Sequence, residues 1–373
     1  MKNNISQITN CYGCGVCAKS CGKKIIEIRL NSDGFYEPFI TEDSKCNECG
    51  ICLDVCAYLK NVPFFSSPQK SYAAWNKDVN IRKKASSGGI SFEIAKILLN
   101  KNFKICSVRY NIETNRAEHY IANNINELIP SIGSKYIQSY TLNAFNEINR
   151  KDKYLIIGTP CQIDSVRHYI HKFKIEENFI LIDFFCHGVP TMWAWTRYKE
   201  MIEKKIGSFS DVAWRYKDKD INWHDSYCMH IKGERKSYTS KATEGDLFYQ
   251  LFFKNACLNK SCYSKCKYKY NHSSADIRIG DLWGKTYETN QEGVSALVTF
   301  TLKGDETIKS TTNIELVEQP FNIVAEGQIQ KKLIEPKLTR SITLNLLKNR
   351  SIPIKFIIII MKVLLKLFNK LSI

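Results

Sequence analysis

The sequence is short of acid, of long apolar runs and of histidine motifs, and each shortage removes a class of protein. Only 37 Asp and Glu face 54 Lys and Arg, a formal net charge of +17. A spanning helix needs about 20 apolar residues. The longest apolar run here, Phe356 to Met361, is bounded by Lys355 and Lys362. His187, His224, His230 and His272 show no H-x-x-x-H or H-E-x-x-H spacing, so a zincin-type site is not expected. The serine–glycine run at Ser86 to Gly89 is neither a P-loop nor G-x-G-x-x-G. No helix-turn-helix or RNP-type pattern accompanies the basic excess, and nucleic acid is not expected as a partner. The charge then points to an anionic membrane surface or to acidic cofactors and partners. Met1 to Thr9 is polar, which argues against a signal peptide and for a reducing, cytoplasmic setting.

Cysteine, by contrast, is abundant, with 15 in 373 residues. Dense cysteine without secretion favours metal over disulfides. Eight of the fifteen form two runs of identical spacing: Cys11, Cys14, Cys17, Cys21 and Cys46, Cys49, Cys52, Cys56, each C-x-x-C-x-x-C-x-x-x-C. A [4Fe–4S] cube takes one thiolate per iron, and a loop with cysteine at every third position wraps three corners. In two-cluster ferredoxins the fourth cysteine crosses to the other cube. The expectation is therefore one cube on Cys11, Cys14, Cys17 and Cys56 and a second on Cys46, Cys49, Cys52 and Cys21. Zinc knuckles favour paired C-x-x-C units over runs of four. The proline usual after the fourth cysteine is Gly22 in one run and Ala57 in the other.

Between the runs, Lys24–Leu30, a turn at Asn31–Gly34 and Phe35–Ile40 predict a hairpin. Asn61 to Lys70, with Pro63 and Pro68, reads as a linker. Beyond it, Tyr72–Trp75 and Ile105–Tyr110 suggest strands, with Cys106 a buried small apolar residue. Ile90, Ile94, Ile97 and Leu98 lie on one helical face opened by the serines and glycines before them. Such a helix start favours an anion, but on sequence alone an ordinary serine N-cap is the preferred account, because the spacing is neither a P-loop nor G-x-G-x-x-G. Tyr154–Ile157 and Phe179–Phe185 are continuous apolar runs, as in buried parallel strands, and they lead into Gly158-Thr159-Pro160-Cys161 and Cys186-His187-Gly188. Ligands in open α/β sheets sit beyond strand carboxyl ends, so Cys161 and Cys186 are placed for a shared site or are simply buried. Two of Cys257, Cys262 and Cys266 would complete four thiolates for a third cube. Cys228, in a stretch rich in Trp and His, has no expected role.

The end of the chain predicts a helix with Lys355, Lys362, Lys366 and Lys370 on one face. Phe356, Ile357, Ile360, Met361, Leu364, Leu367, Phe368 and Leu371 occupy the other. That pattern suits a membrane surface, or a terminal helix docked on its own protein or on a partner.

The motifs SSGGI (Ser86–Ile90), GSKYIQS (Gly133–Ser139), GTPCQ (Gly158–Gln162), FFCHGVP (Phe184–Pro190), SCYSKC (Ser261–Cys266) and DIRIGDLWG (Asp276–Gly284) resemble the coenzyme F-420 hydrogenase/dehydrogenase beta-subunit family, in the form with an N-terminal two-cluster ferredoxin module. With the cysteine runs they span most of residues 8–300. The resemblance implies a mixed α+β and α/β chain. Residues 1–62 would form the ferredoxin-like module. It would be joined to an α/β flavin-binding domain with a mixed or parallel sheet, whose parts are 63–150 and 151–345, and a basic amphipathic tail would cover 351–373. It further implies FAD held at Ser87, Gly88, Gly89, Ser134 and Lys135, and a third [4Fe–4S] cluster on Cys161, Cys186, Cys262 and Cys266. The family usually leaves two residues between the last two cysteines. Here there are three, so Cys257 stands as an alternative ligand. The implied activity is an oxidoreductase that couples hydride transfer at FAD to one-electron transfer, with coenzyme F-420 or another hydride donor as substrate. The alternative is an electron-transfer subunit serving a catalytic partner or one-electron carrier. The location would be cytoplasmic, with peripheral contact at the inner face of the membrane through the tail.

Overall fold

The computed structural model describes residues 2–218 and 221–370. Its frame is a nine-stranded mixed sheet. Four neighbouring strands at its centre run parallel: Phe103–Asn111, Lys153–Ile157, Phe179–Phe184 and Ile277–Asp281. Antiparallel partners extend it on both sides, among them Arg116–Ala122, Ser295–Thr299, Lys70–Asn76 and Ile314–Glu318.

Period-two alternation explains why the central runs are wholly apolar. Leu155, Ile180 and Ile182 face a core with Ile90, Ile94 and Leu98 of the helix Ile90–Asn100. Tyr154, Ile156, Phe179 and Leu181 face the other side, onto Ile163, Val166 and Ile170 of the helix Pro160–Lys172. A strand covered on both faces has no polar side to show. The sheet crosses residue 150 without a break, since Lys153–Ile157 pairs with Phe103–Cys106.

The cysteine runs fold around the expected hairpin, Ile26–Leu30 paired with Tyr36–Ile40. The two runs share a backbone. Gly15 and Gly50 sit at φ 77° and 72°, one residue after the second cysteine, and open the short helices Val16–Ser20 and Ile51–Asp54. Gly13 and Glu48, one residue before that cysteine, are left-handed as well, at φ 67° and 53°. Glu48 holds this geometry without glycine's freedom, at a cost of about 1 kcal/mol. The module packs on the helices Leu142–Glu147 and Pro160–Lys172. The expected linker is stitched down rather than free: Phe65 and Ser273 exchange backbone hydrogen bonds, and the Phe64 amide donates to Ser274 Oγ.

A third core gathers the helices Met192–Ile206, Leu247–Phe253, Lys337–Lys348 and Ile354–Lys370 over a small antiparallel sheet, Phe209–Ala213, Cys228–Gly233 and Ser237–Lys241. The expected single apolar face of the last helix is not what folds. Ile357 and Met361 are buried together with Ile354 and Ile358, whereas Phe356, Ile360 and Leu367 point away from the protein. The reason is that residues spaced three and four apart around a helix serve two opposed faces here. The side chain of Lys370 and all of Leu371 lie outside the described residues. No helix among the described residues is long and apolar enough to cross a membrane.

Candidate functional site

All fifteen cysteines are free thiols. Twelve fall into three groups of four. Cys17 has Cys14, Cys11, Cys56 and Cys52 as electrostatic neighbours, and Cys56 has Cys14 and Cys52. Cys52 has Cys21 and Cys49. The fourth cysteine of each run has a cysteine of the other run beside it: Cys56 has Cys14, and Cys21 neighbours Cys52. Burial pushes the Cys56 thiol up to about 12 and holds Cys17 well above its ordinary value. The second group is the outer one, with Cys49 exposed and Cys21 and Cys46 half-buried.

The third group is built by the sheet. The strand Lys153–Ile157 ends at Gly158, and Thr159 starts the next helix with a capping box: the Thr159 amide donates to Gln162 Oε1 at 2.9 Å. Pro160 takes the first helical position, where no amide hydrogen is needed, so Cys161 sits in the first turn. Cys186 follows the strand Phe179–Phe184. These two cysteines, with Cys262 and Cys266, line one small cavity together with Tyr12, Gly188, Tyr268 and Lys269. Burial raises Cys161 strongly and Cys262 to about 12. Cys257 is elsewhere: fully buried in the third core, with its thiol directed at the Leu251 carbonyl. A lone zinc ion draws its ligands to about 2.3 Å. Among the described residues no three His, Cys, Asp or Glu are gathered to hold a single ion. Four thiolates are the donor set a cube takes.

The three groups are in sequence. Cys14 Sγ lies 3.2 Å from Ser165 Oγ, on the helix that carries Cys161. Tyr12, beside Cys11, has Cys161 and Cys266 as neighbours.

A larger cavity, about 370 Å³, opens beyond the carboxyl ends of the central strands. Such a volume is within the range of small-molecule sites. It shares a wall with the third cysteine group: Cys186, Gly188, Val189, Tyr268 and Lys269 line both. Ser86, Ser87 and Gly89 line it from one side, Gly133 to Tyr136 from another, and Phe185, Tyr227, Phe252 and Trp283 from a third. The serine N-cap reading does not hold. Gly89 is the N-cap, at φ 78° and without a side-chain cap bond. Ser87 Oγ donates to the Val294 carbonyl and Ser86 Oγ accepts from the Ser134 amide at 2.7 Å. These bonds tie the two loops to each other and to the sheet. Gly88 does not line the cavity; a Cβ there would meet the Ala74 carbonyl at 2.5 Å. Lys135 lines it, but its Nζ donates to the carbonyls of Pro130, Ser131, Ile132 and Gly133, and burial lowers it to about 7. His187 lines the cavity too, with Nε2 2.6 Å from Asn255 Oδ1.

Sequence reasoning missed several residues that shape this site. Lys217, buried, donates to the carbonyls of Arg82, Ser87 and Glu292 and so holds the serine–glycine loop. Arg215 is fully buried, paired with Asp281 at 2.9 Å and lying over the rings of Tyr227 and Trp283. Lys269 donates to the carbonyls of Cys186 and His187, at 2.5 and 3.0 Å. Each lies among other basic residues with no motif to single it out; DIRIGDLWG, which contains Asp281 and Trp283, marked this wall.

Residues 151–320 match the family model for the C terminus of the coenzyme F420 hydrogenase/dehydrogenase beta subunit. A relative named coenzyme F420 hydrogenase subunit beta, from Methanococcus voltae, is 25% identical over 281 residues, covering 72% of this chain and 92% of its own. A solved structure titled as a xenon derivative of the F420-reducing [NiFe] hydrogenase complex from Methanosarcina barkeri aligns with a TM-score of 0.47 and 16% identity, covering 80% of this chain and 93% of that one. The family match covers the strands that lead to Cys161 and Cys186 and the segment with Cys262 and Cys266, and over that stretch the chain is similar to the coenzyme F420 hydrogenase/dehydrogenase beta subunits.

Proposed function

We propose that this chain is an iron–sulfur flavoprotein oxidoreductase subunit in which hydride exchange in the larger cavity is coupled to one-electron transfer along the three cysteine groups. The observation that carries the reading is the shared wall: one loop, Cys186 to Val189, borders both the third cysteine group and the cavity. A bound FAD would supply the conversion between a two-electron hydride and single electrons. Ser86, Ser87, Gly89 and the Gly133–Lys135 loop are the residues that would hold it, with Lys217 and Arg215 fixing the loops behind them. Phe252 and Trp283 exclude water from the opposite side. Lys269 places an ammonium where cavity and cysteine group meet, and no carboxylate is ion-paired with it among the described residues. The twelve cysteines would hold three [4Fe–4S] clusters, binding as thiolates with their protons released to solvent.

The relative's name makes coenzyme F420 the first hydride donor to test. It also supports a second reading, in which the chain is an electron-transfer subunit that serves a separate catalytic partner. The exposed Cys49 end is where such a partner would meet it. The test is anaerobic purification followed by iron and flavin assay, then reduction with a panel of hydride donors read at the flavin band. About twelve irons per chain, four per cube, with bound FAD and bleaching by one donor, support the first reading. Full iron and flavin without bleaching by any donor favours the second. Absence of flavin sinks the first.

A further inference from the structure

The helix Ile354–Lys370 carries two apolar faces, and the protein uses one. Ile354, Ile357, Ile358 and Met361 are buried against the helices Met192–Ile206, Leu247–Phe253 and Lys337–Lys348. On the opposite side Phe356, Ile359, Ile360, Val363 and Leu367 stand 37–60% exposed. At 3.6 residues per turn these five fall within an arc of about 100° and run roughly 16 Å along the axis. Lys355, Lys362 and Lys366 border the stripe on one side, all exposed. No Asp or Glu lies between Ile354 and Lys370.

We infer that this outward face seats the protein on an anionic lipid surface. Five large apolar side chains in one stripe are unfavourable in water and would be relieved at the boundary between headgroups and acyl chains. The bordering lysines then meet lipid phosphates, with their stems lying along the apolar surface. The contact lies flat, because the inner face is already committed to the core. A second copy is a poorer occupant: it would bring a second set of lysines and no carboxylate from this helix to meet them. The +17 formal charge of the chain favours the same anionic surface. This inference is independent of the cofactor reading.

The test is flotation of the full chain with vesicles of phosphatidylcholine, alone or with about 30% phosphatidylglycerol. The variants are Val363→Ser/Leu367→Ser and Lys355→Gln/Lys362→Gln/Lys366→Gln. All five positions are exposed, so an unchanged thermal midpoint is expected and confirms folding. The wild type is expected to float with the anionic vesicles, and each variant to partition at least about tenfold less. Three results overturn the inference: no flotation of the wild type, equal flotation of wild type and variants, or a lipid-free dimer that Val363→Ser/Leu367→Ser disperses.

Discussion

A methyl group on Gly13 would sit 2.2 Å from the Tyr36 carbonyl and 2.5 Å from Gln138 Nε2. Neither can retreat, because Gln138 is buried, accepting from the Tyr36 amide and donating to the Tyr12 carbonyl. The residue also has φ 67°, which disfavours any side chain. Gly13→Ala is therefore expected to cost about 2 kcal/mol or more and to release iron from the first cysteine group. Gly22 is the control, since a Cβ there meets nothing within 4 Å; Gly22→Ala should leave the thermal midpoint within a few degrees of wild type. Equal loss from both variants would refute the packing argument. His119 gives a second test at this scale. It is buried, with Nε2 3.1 Å from the Ile157 carbonyl, and burial lowers it from 6.5 to about 4. The native state thus holds its proton less tightly than the unfolded chain. Its neutral form is fully compatible with folding above pH 6.5, and stability falls as pH drops from there toward 4, by about 3 kcal/mol in total. Thermal midpoints at pH 7.5 and 5 should differ less for His119→Met than for the wild type.

At the scale of elements, Asp183 and Arg278 join two central strands and shape the loop between them and the cysteines. Both are fully buried, and the guanidinium meets both carboxylate oxygens at 2.7 Å. Arg278 also donates to the carbonyls of Tyr268 and Tyr270, which fixes the loop that starts at Cys266 and carries Lys269. Asp183→Asn leaves a buried guanidinium without its counter-charge. The expected cost is about 3–5 kcal/mol, with iron lost from the third cysteine group before the other two. Iron content against denaturant would show it, and uniform loss from all three would argue against a local role. The strands themselves were legible in the sequence, because two-sided burial writes a continuous apolar run, as at Tyr154–Ile157. The hairpin and the cysteine repeats were legible for the same local reason: turn chemistry and chelation both act over a few residues. The aromatic and basic wall was not legible. Tyr227 and Lys269 line the cavity and Arg215 and Lys217 brace it from behind, through contacts spanning about ten to more than a hundred residues, and no periodicity records them. The last helix was half legible: its amphipathic pattern was plain, but which apolar residues would dock depended on the shape of the core.

Across the whole molecule, exposure orders the three cysteine groups. Cys49 is exposed, Cys11, Cys17 and Cys56 are buried in the module where it packs on the helix Pro160–Lys172, and the third group abuts the cavity. If electrons leave or enter by this route, damage at the outer end must separate two activities that damage at the inner end would abolish together. Cys49→Ser changes only the outermost group and sits where no core packing depends on it. Hydride reduction read at the flavin band should proceed at the wild-type rate, because every residue lining the cavity is untouched. Exchange with a one-electron dye should fall by about tenfold or more. Cys14→Ser, one group further in and against Ser165, should give the same split with a larger loss. In variants whose thermal midpoint and third-group iron are unchanged, hydride reduction that falls in step with dye exchange would mean that the groups are not in series and that the outer cysteines support the cavity by some other means.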